Sequence, residues 1–220
     1  MKRETVLALP LRAQDPFSLL LHRLLAMRLI LASNSPRRRQ LLTDLGLTYE
    51  TRLLEVNEDF PAHLRRAEIA EYLAAHKAAA YAQGLAADEV VLTADTIVCL
   101  DDDVLNKPAD VAQATAMLTR LQGRAHDVFT GVCLRCGDGR QVVFSDQTTV
   151  HFRALSPAEI SHYIATARPF DKAGAYGAQD WIGMVGVTRL EGSYFTVMGL
   201  PVHRVWDELA KLGALPASLS

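Results

Sequence analysis

Residues 90–100, VVLTADTIVCL, constrain the fold of this chain more than any other segment. A nearly continuous apolar run of this length reads as a central strand buried on both faces, so helices must cover the sheet it belongs to. Asp95 interrupts that run, and a carboxylate in such a strand is costly unless it is paired, hydrogen-bonded or bound to a cation. The two-residue period puts Thr93, Asp95 and Ile97 on one face and Ala94 and Thr96 on the other. Two readings of Asp95 stand side by side: a structural carboxylate bonded to loop amides, or a metal ligand or general base at the sheet's edge.

Upstream, residues 28–46 read RLILASNSPRRRQLLTDLG. Arg28 to Ala32 form a short buried strand. Ser35 supplies a side-chain N-cap, and Pro36 fits the first helical position, where a missing N–H costs nothing. Leu41, Leu42 and Leu45 make the apolar face of the helix, and Gly46 suits its stop. Arg37, Arg38 and Arg39 therefore fall in the first turn, at the positive end of the macrodipole. That placement is unfavourable by roughly 0.3–1 kcal/mol per charge unless an anion sits there. Strand, turn and arginines together make a phosphate cradle, against the alternative of a solvated basic turn.

The 220 residues are 50% hydrophobic and 22% charged, enough for a sizeable core, and the formal net charge of −2 gives no general attraction to nucleic acid or an anionic membrane. Any phosphate site must therefore be local. Cys99, Cys133 and Cys136 are too few for a disulfide framework, and the lone C-x-x-C pair has no histidines at ligand spacing, which argues for strand cysteines over zinc. No apolar run reaches the length of a membrane span. Residues 1–26 read as an N-terminal extension, with Met27 as the alternative start and an amphipathic turn or two over Phe17–Leu25. Residues 27–220 read as a single domain.

Along that domain, Tyr49 to Phe60 is expected to be extended, and Pro61 to open an alanine-rich helix reaching about Gln83, with Ile69, Leu73 and the Ala70/Ala74/Ala78 stripe inward. Asp101 to Asp103 mark a turn. Asp110 caps a helix carrying Met117, Leu118 and Leu121. Residues 125–153 read as a long hairpin joined by Gly137-Asp138-Gly139. Ser156 to Glu159 form a capping box. Strands are expected around Val185–Leu190 and Tyr194–Val197, and a last amphipathic helix from Pro201 carries Val205, Trp206, Leu209 and Leu212. Strands and helices mix without strict alternation, which predicts a mixed sheet flanked by helices.

Lys107 in LNKP and Lys77 on the alanine-rich helix are further candidates, although a lysine on such a helix can simply snorkel. Glu58 is one of several acids in its segment. Gly174, Gly177, Gly183 and Gly186 around Tyr176 and Gln179 suit either close approach to a ligand or irregular turns. No Walker P-loop and no G-x-S-x-G elbow occurs.

The segments LILASNSPRRRQLL, LTADTIVCLDDDVLNKP, HDVFTGV, DKAGAYGAQ and GSYFTVMGLP, in this order and spacing, resemble the Maf family of nucleoside triphosphate pyrophosphatases. The resemblance runs from about Arg28 to Leu212. It implies an elongated mixed α/β sheet like that of inosine-triphosphate pyrophosphatases. It also implies hydrolysis between the α- and β-phosphates with a divalent cation, Mg²⁺ or Mn²⁺. By motif match Asp95 takes the catalytic acid/base position; Arg37, Thr96 and Gln179 match positions linked to substrate choice; Glu58, Lys77 and Lys107 match polar positions around phosphates and metal. Ser35 and Arg38 belong to the S-x-S-P-R-R segment that would hold the triphosphate, and Glu58 with Asp95 would position the metal. DKAGAYG-x-Q is similar to the dTTP/UTP branch. Asn106, Thr93, His76 and Asp180 depart from the family's usual residues. The resemblance implies a homodimer with a nucleoside triphosphate as ligand, and a cytoplasmic protein is expected. The acidic balance and the lack of a wider basic surface argue against a nucleic-acid partner, as the lack of a long apolar run does against a membrane one. A nucleotide-binding regulator of cell division without turnover is the alternative.

Overall fold

Strand β3 (Glu89–Leu100) is the spine of a seven-stranded mixed sheet. The computed structural model describes residues 27–215, so the N-terminal extension and the turn expected over Phe17–Leu25 lie outside the described residues. Strand β1 (Arg28–Leu31) runs parallel to the start of β3, and β2 (Tyr49–Thr51) runs parallel to β1. On the other edge of β3 lies the long hairpin of β5 (Ala125–Cys136) and β6 (Gln141–Phe152), and β7 (Val187–Glu191) adds to β6. Strand β4 (Asp103–Leu105) folds back antiparallel onto the end of β3.

Because β5 occupies one edge of β3, β1 and β4 must share the other. Pairing with β1 ends at Leu92, and pairing with β4 begins at Val98. Residues 93–97 of β3 therefore face a notch in the sheet with no strand beside them. Asp95 and Thr96 lie in its middle.

Helices cover both faces, as the doubly buried β3 demands. Helices α1 (Pro36–Asp44) and α7 (Val202–Leu212) pack Leu41, Leu42, Val205 and Leu209 on Leu29, Leu31, Val90 and Leu92. Farther along the same face, α3 (Val111–Leu121) and α4 (Pro157–Ala167) enclose a second cluster around Val98, Leu118 and Tyr163. The opposite face carries α2 (Ala67–Ala79), with Ile69 and Leu73 on Ile97 and Phe129. Its alanine stripe permits very close packing: a Cβ on Gly131 of β5 would fall 2.2 Å from the Ala70 backbone. Caps agree with the sequence. Ser35 Oγ accepts from the Arg38 N–H, Asp110 from the Gln113 N–H, and Ser156 and Glu159 form a complete capping box.

Three expectations are corrected. The alanine-rich helix begins at Ala67, not Pro61, because residues 61–64 close a turn and Arg66 adopts φ 46°, which a helix cannot contain. Tyr49 to Phe60 is a strand only to Thr51. Residues Tyr194–Met198 form a short helix, α6, not a strand, and α5 (Trp181–Gly186) delays the preceding strand to Val187. In α6 tertiary ties override β-prone composition: Thr196 donates its hydroxyl to Asp146 and accepts from Thr130 at its carbonyl.

Candidate active site

The sheet notch opens into a cleft of about 700 Å³, and the nine residues singled out from sequence all line it: Ser35, Arg37, Arg38, Glu58, Lys77, Asp95, Thr96, Lys107 and Gln179. Asp95 and Thr96 are consecutive on a strand and point to opposite faces. The open edge lets both reach the same cavity.

On the α2 face, the Lys77 ammonium sits between two carboxylates, 2.5 Å from Asp95 Oδ1 and 2.7 Å from Glu58 Oε1. Lys107 approaches Glu58 Oε2 at 3.3 Å. Asp95 and Lys77 are largely buried, with side chains 14% and 17% exposed, whereas Glu58 and Lys107 are about half exposed. The buried strand carboxylate is thus neutralised by a cation from the neighbouring helix, which meets the cost identified from sequence. Burial pushes the Glu58 carboxyl upward, but its hydrogen bond and attraction to Lys77, with Lys107 behind it, hold it below its ordinary value.

On the other face, Arg37 lies in the first turn of α1 with NH1 3.8 Å from Asp171 of the glycine-rich loop. Arg38 behaves differently. Its guanidinium is part-buried and bonded to Gly199, Ala94, Ser33 and Thr96. Burial presses its pKa down, while Asp95 pulls the other way. Arg39 is not part of the cleft wall. Lys107 reaches the cleft from the loop after β4, and Gln179 from the loop before α5. Gln179 Oε1 is buried without a hydrogen-bond partner among the described residues. The glycine-rich loop uses its glycines mostly for internal packing; a Cβ on Gly183 would strike the Ala178 carbonyl at 2.1 Å.

The lining also has an apolar part, with Val98, Val128, Val197, Met198 and Gly199. Gly199 lies at φ +107°, where a Cβ would stand 3.3 Å from Thr96 Oγ1. Sequence reasoning did not single out Gly199, or Thr130 and Thr196 behind Thr96. Threonines in a strand look like ordinary β-formers, and the available signals were the HDVFTGV block for Thr130 and the GSYFTVMGLP block for Thr196 and Gly199, each only as a whole.

Among the described residues no group of three or more His, Cys, Asp and Glu side chains could hold a metal. Two carboxylates converge, Glu58 and Asp95. That donor set fits Mg²⁺ or Mn²⁺ in the mode where one or two carboxylates share the ion with water and substrate phosphates.

A mixed α/β sheet whose broken edge gathers lysines, arginine and two carboxylates, next to a neutral recess, defines a polyanion-binding cleft of nucleotide size. The chain belongs to the Maf family: residues 28–212 match the family described as Maf-like protein. A dTTP/UTP pyrophosphatase from Phocaeicola vulgatus is 50% identical over 186 residues, 84% of this chain and 96% of that one. The dTTP/UTP pyrophosphatase of Bacteroides thetaiotaomicron is 47% identical, with the same coverage of 84% and 96%. Among solved structures, a nucleoside-triphosphatase (dITP/XTP pyrophosphatase) from Mycobacterium abscessus aligns at TM-score 0.45 and 19% identity, over 84% of this chain and 94% of that one.

Proposed function

We propose that the protein is a nucleoside triphosphate pyrophosphatase that hydrolyses dTTP and UTP to the monophosphate and pyrophosphate. The observation that carries this reading is the Lys77 ammonium held between Glu58 and Asp95 at the mouth of a neutral recess. Triphosphate hydrolysis needs spreading negative charge neutralised and a water placed against phosphorus. Arg37, Lys77 and Lys107, with the N-terminus of α1, bind the phosphates. Ser35 spends an acceptor lone pair on its cap, so its O–H is left to donate to a phosphate oxygen. Asp95 takes the proton of the attacking water as general base.

Glu58 and Asp95 would hold Mg²⁺ or Mn²⁺, which when bound polarises the phosphoryl group and acidifies water. Lys77 is released from the two carboxylates to the phosphates as substrate enters. The base occupies the neutral recess, where the unpartnered Gln179 Oε1 accepts the ring N–H of uracil or thymine. Thr96 and Arg37 shape the same discrimination. The ligand in this reading is a nucleotide and not nucleic acid; the protein acts in the cytoplasm as a homodimer, and sedimentation of the full chain tests that assembly.

The deciding experiment measures pyrophosphate release from UTP, dTTP, ATP and GTP with Mg²⁺, with Mn²⁺ and with chelator. Metal-dependent release favouring UTP and dTTP is expected. Nucleotide binding without any release would overturn the enzyme reading in favour of a regulator.

A further inference from the structure

Arg38 has little left to give a ligand. Its Nε–H donates to the Gly199 carbonyl at 2.7 Å, NH1 to the Ala94 carbonyl at 2.9 Å and to Ser33 Oγ at 3.3 Å, and NH2 to Thr96 Oγ1 at 3.1 Å. Four of the five guanidinium N–H groups therefore serve protein acceptors. Drawing the side chain toward a phosphate would strip two backbone carbonyls of these donors.

Behind Thr96 the bonds continue in one direction. Thr130 donates to the Thr196 carbonyl at 2.7 Å, which uses its only proton. In the Thr96–Thr130 contact at 2.9 Å, Thr96 must then be the donor. Thr196 in turn donates to the Asp146 carboxylate at 2.5 Å. A single polar tie thus runs from Arg38 through Thr96, Thr130 and Thr196 to Asp146. It joins the first turn of α1, the open edge of β3, the β5–β6 hairpin and α6. Thr130 and Thr196 are fully buried and form no part of the cleft wall.

We infer that Arg38 and Thr130 are positioning residues for the base end of the cleft: they fix Thr96 and Gly199 in place, and Arg38 takes no share in holding phosphate. The inference rests on the reading of the cleft as a nucleoside triphosphate site and adds what sets its neutral end. Asymmetry supports it, since the exchangeable charges gather around Lys77 and Glu58 while the tie from Arg38 passes through two buried threonines to the Asp146 carboxylate, away from the phosphate-binding lysines.

The probe that separates the two ends is inorganic tripolyphosphate, which carries the charge and lacks the base. With Arg38→Gln, kcat/KM for UTP should fall on the order of 10-fold or more, as misplacement of binding groups does, while the tripolyphosphate inhibition constant stays within about 2-fold. With Thr130→Val, KM for UTP should rise roughly 5-fold at unchanged tripolyphosphate affinity, and Thr130→Ser should restore it, since only the hydroxyl is at issue. Weakening of tripolyphosphate by Arg38→Gln in step with UTP would overturn the inference, as would a parental KM in folded Thr130→Val. Should Arg38→Gln not fold, the Thr130 pair still decides. A parent that neither hydrolyses UTP nor binds tripolyphosphate would instead defeat the functional reading beneath it.

Discussion

The two ends of the cleft treat their polar groups in opposite ways. At the charged end, Lys77, Glu58 and Lys107 are paired with one another and with Asp95, and half of that set is open to water. At the neutral end, Arg38, Thr96, Thr130, Thr196 and Asp146 satisfy one another inside the sheet. The difference follows from what each group is bonded to. Lys77, Glu58 and Lys107 are held by one another and by Asp95, so they can change partners when phosphate arrives, whereas Arg38 and Thr130 are anchored on backbone carbonyls. Charge for exchange sits on one side of the notch, and fixed shape on the other.

Asp95→Asn attacks the charged end most directly. Turnover should drop by about 10²-fold or more, the range expected for loss of a general base, with a much smaller change in KM. The side chain keeps its size and its place on β3, so a loss confined to kcat identifies chemistry rather than folding. Near-parental pyrophosphate release from a well-folded variant would break the distinction between the two ends.

Lys77→Met comes next. Removing the shared cation leaves Glu58 and Asp95 facing each other without a counter-charge and removes a phosphate ligand. KM for UTP should rise on the order of 10-fold, in keeping with loss of a charge-assisted bond. Glu58 is held low by Lys77 despite its burial, so its titration should move upward in the variant, read by carbon NMR of the carboxylate. Tripolyphosphate and UTP should weaken together here, in contrast to the split expected for Arg38.

Much of this arrangement was legible in the chain and some was not. The doubly buried β3 and the cost of Asp95 within it follow from apolar continuity alone. Ser35 and Pro36 announce α1, and Gly137 to Gly139 announce the long hairpin. The notch itself escaped, because it depends on where two other strands stop, at Leu31 and Leu105, and not on anything local to residues 93–97. Lys77 reads as a snorkelling lysine until α2 is laid across β3, which brings a residue 18 positions away to Asp95. Glu58 stood out from its acidic neighbours only through the resemblance to the Maf family. Tyr194 to Met198 has the composition of a strand and becomes a helix because Thr196 is tied to Asp146 and Thr130.

Gly199→Ala probes the neutral end more gently. At φ +107° an alanine costs about 1–3 kcal/mol of backbone strain, and its methyl group would stand 3.3 Å from Thr96 Oγ1. A lower melting temperature is expected, with a rise of a few-fold in KM for UTP and no change for tripolyphosphate. Equal effects on both ligands would show that the two ends are mechanically one.

The smallest effect on turnover is expected behind that wall, at His126. Its Nε2 lies 2.7 Å from the hydroxyl of Tyr176, which lines the cleft, and its Nδ1 has no partner among the described residues. Burial pushes its pKa from 6.5 down to about 4. Between those values the unfolded chain takes up a proton that the folded one refuses, so stability falls as pH drops through this window and is lost to the extent of about 3 kcal/mol below it. His126→Gln keeps a donor and an acceptor for Tyr176 and cannot titrate. At pH 7.5 its turnover should match the parent within about 2-fold, because the imidazole is neutral there and touches no ligand. Between pH 6.5 and 4.5 its melting temperature should decline less steeply than the parent's. Identical slopes would mean that acid sensitivity originates in other groups, the paired carboxylates such as Glu159 and Glu89 among them, and not in His126.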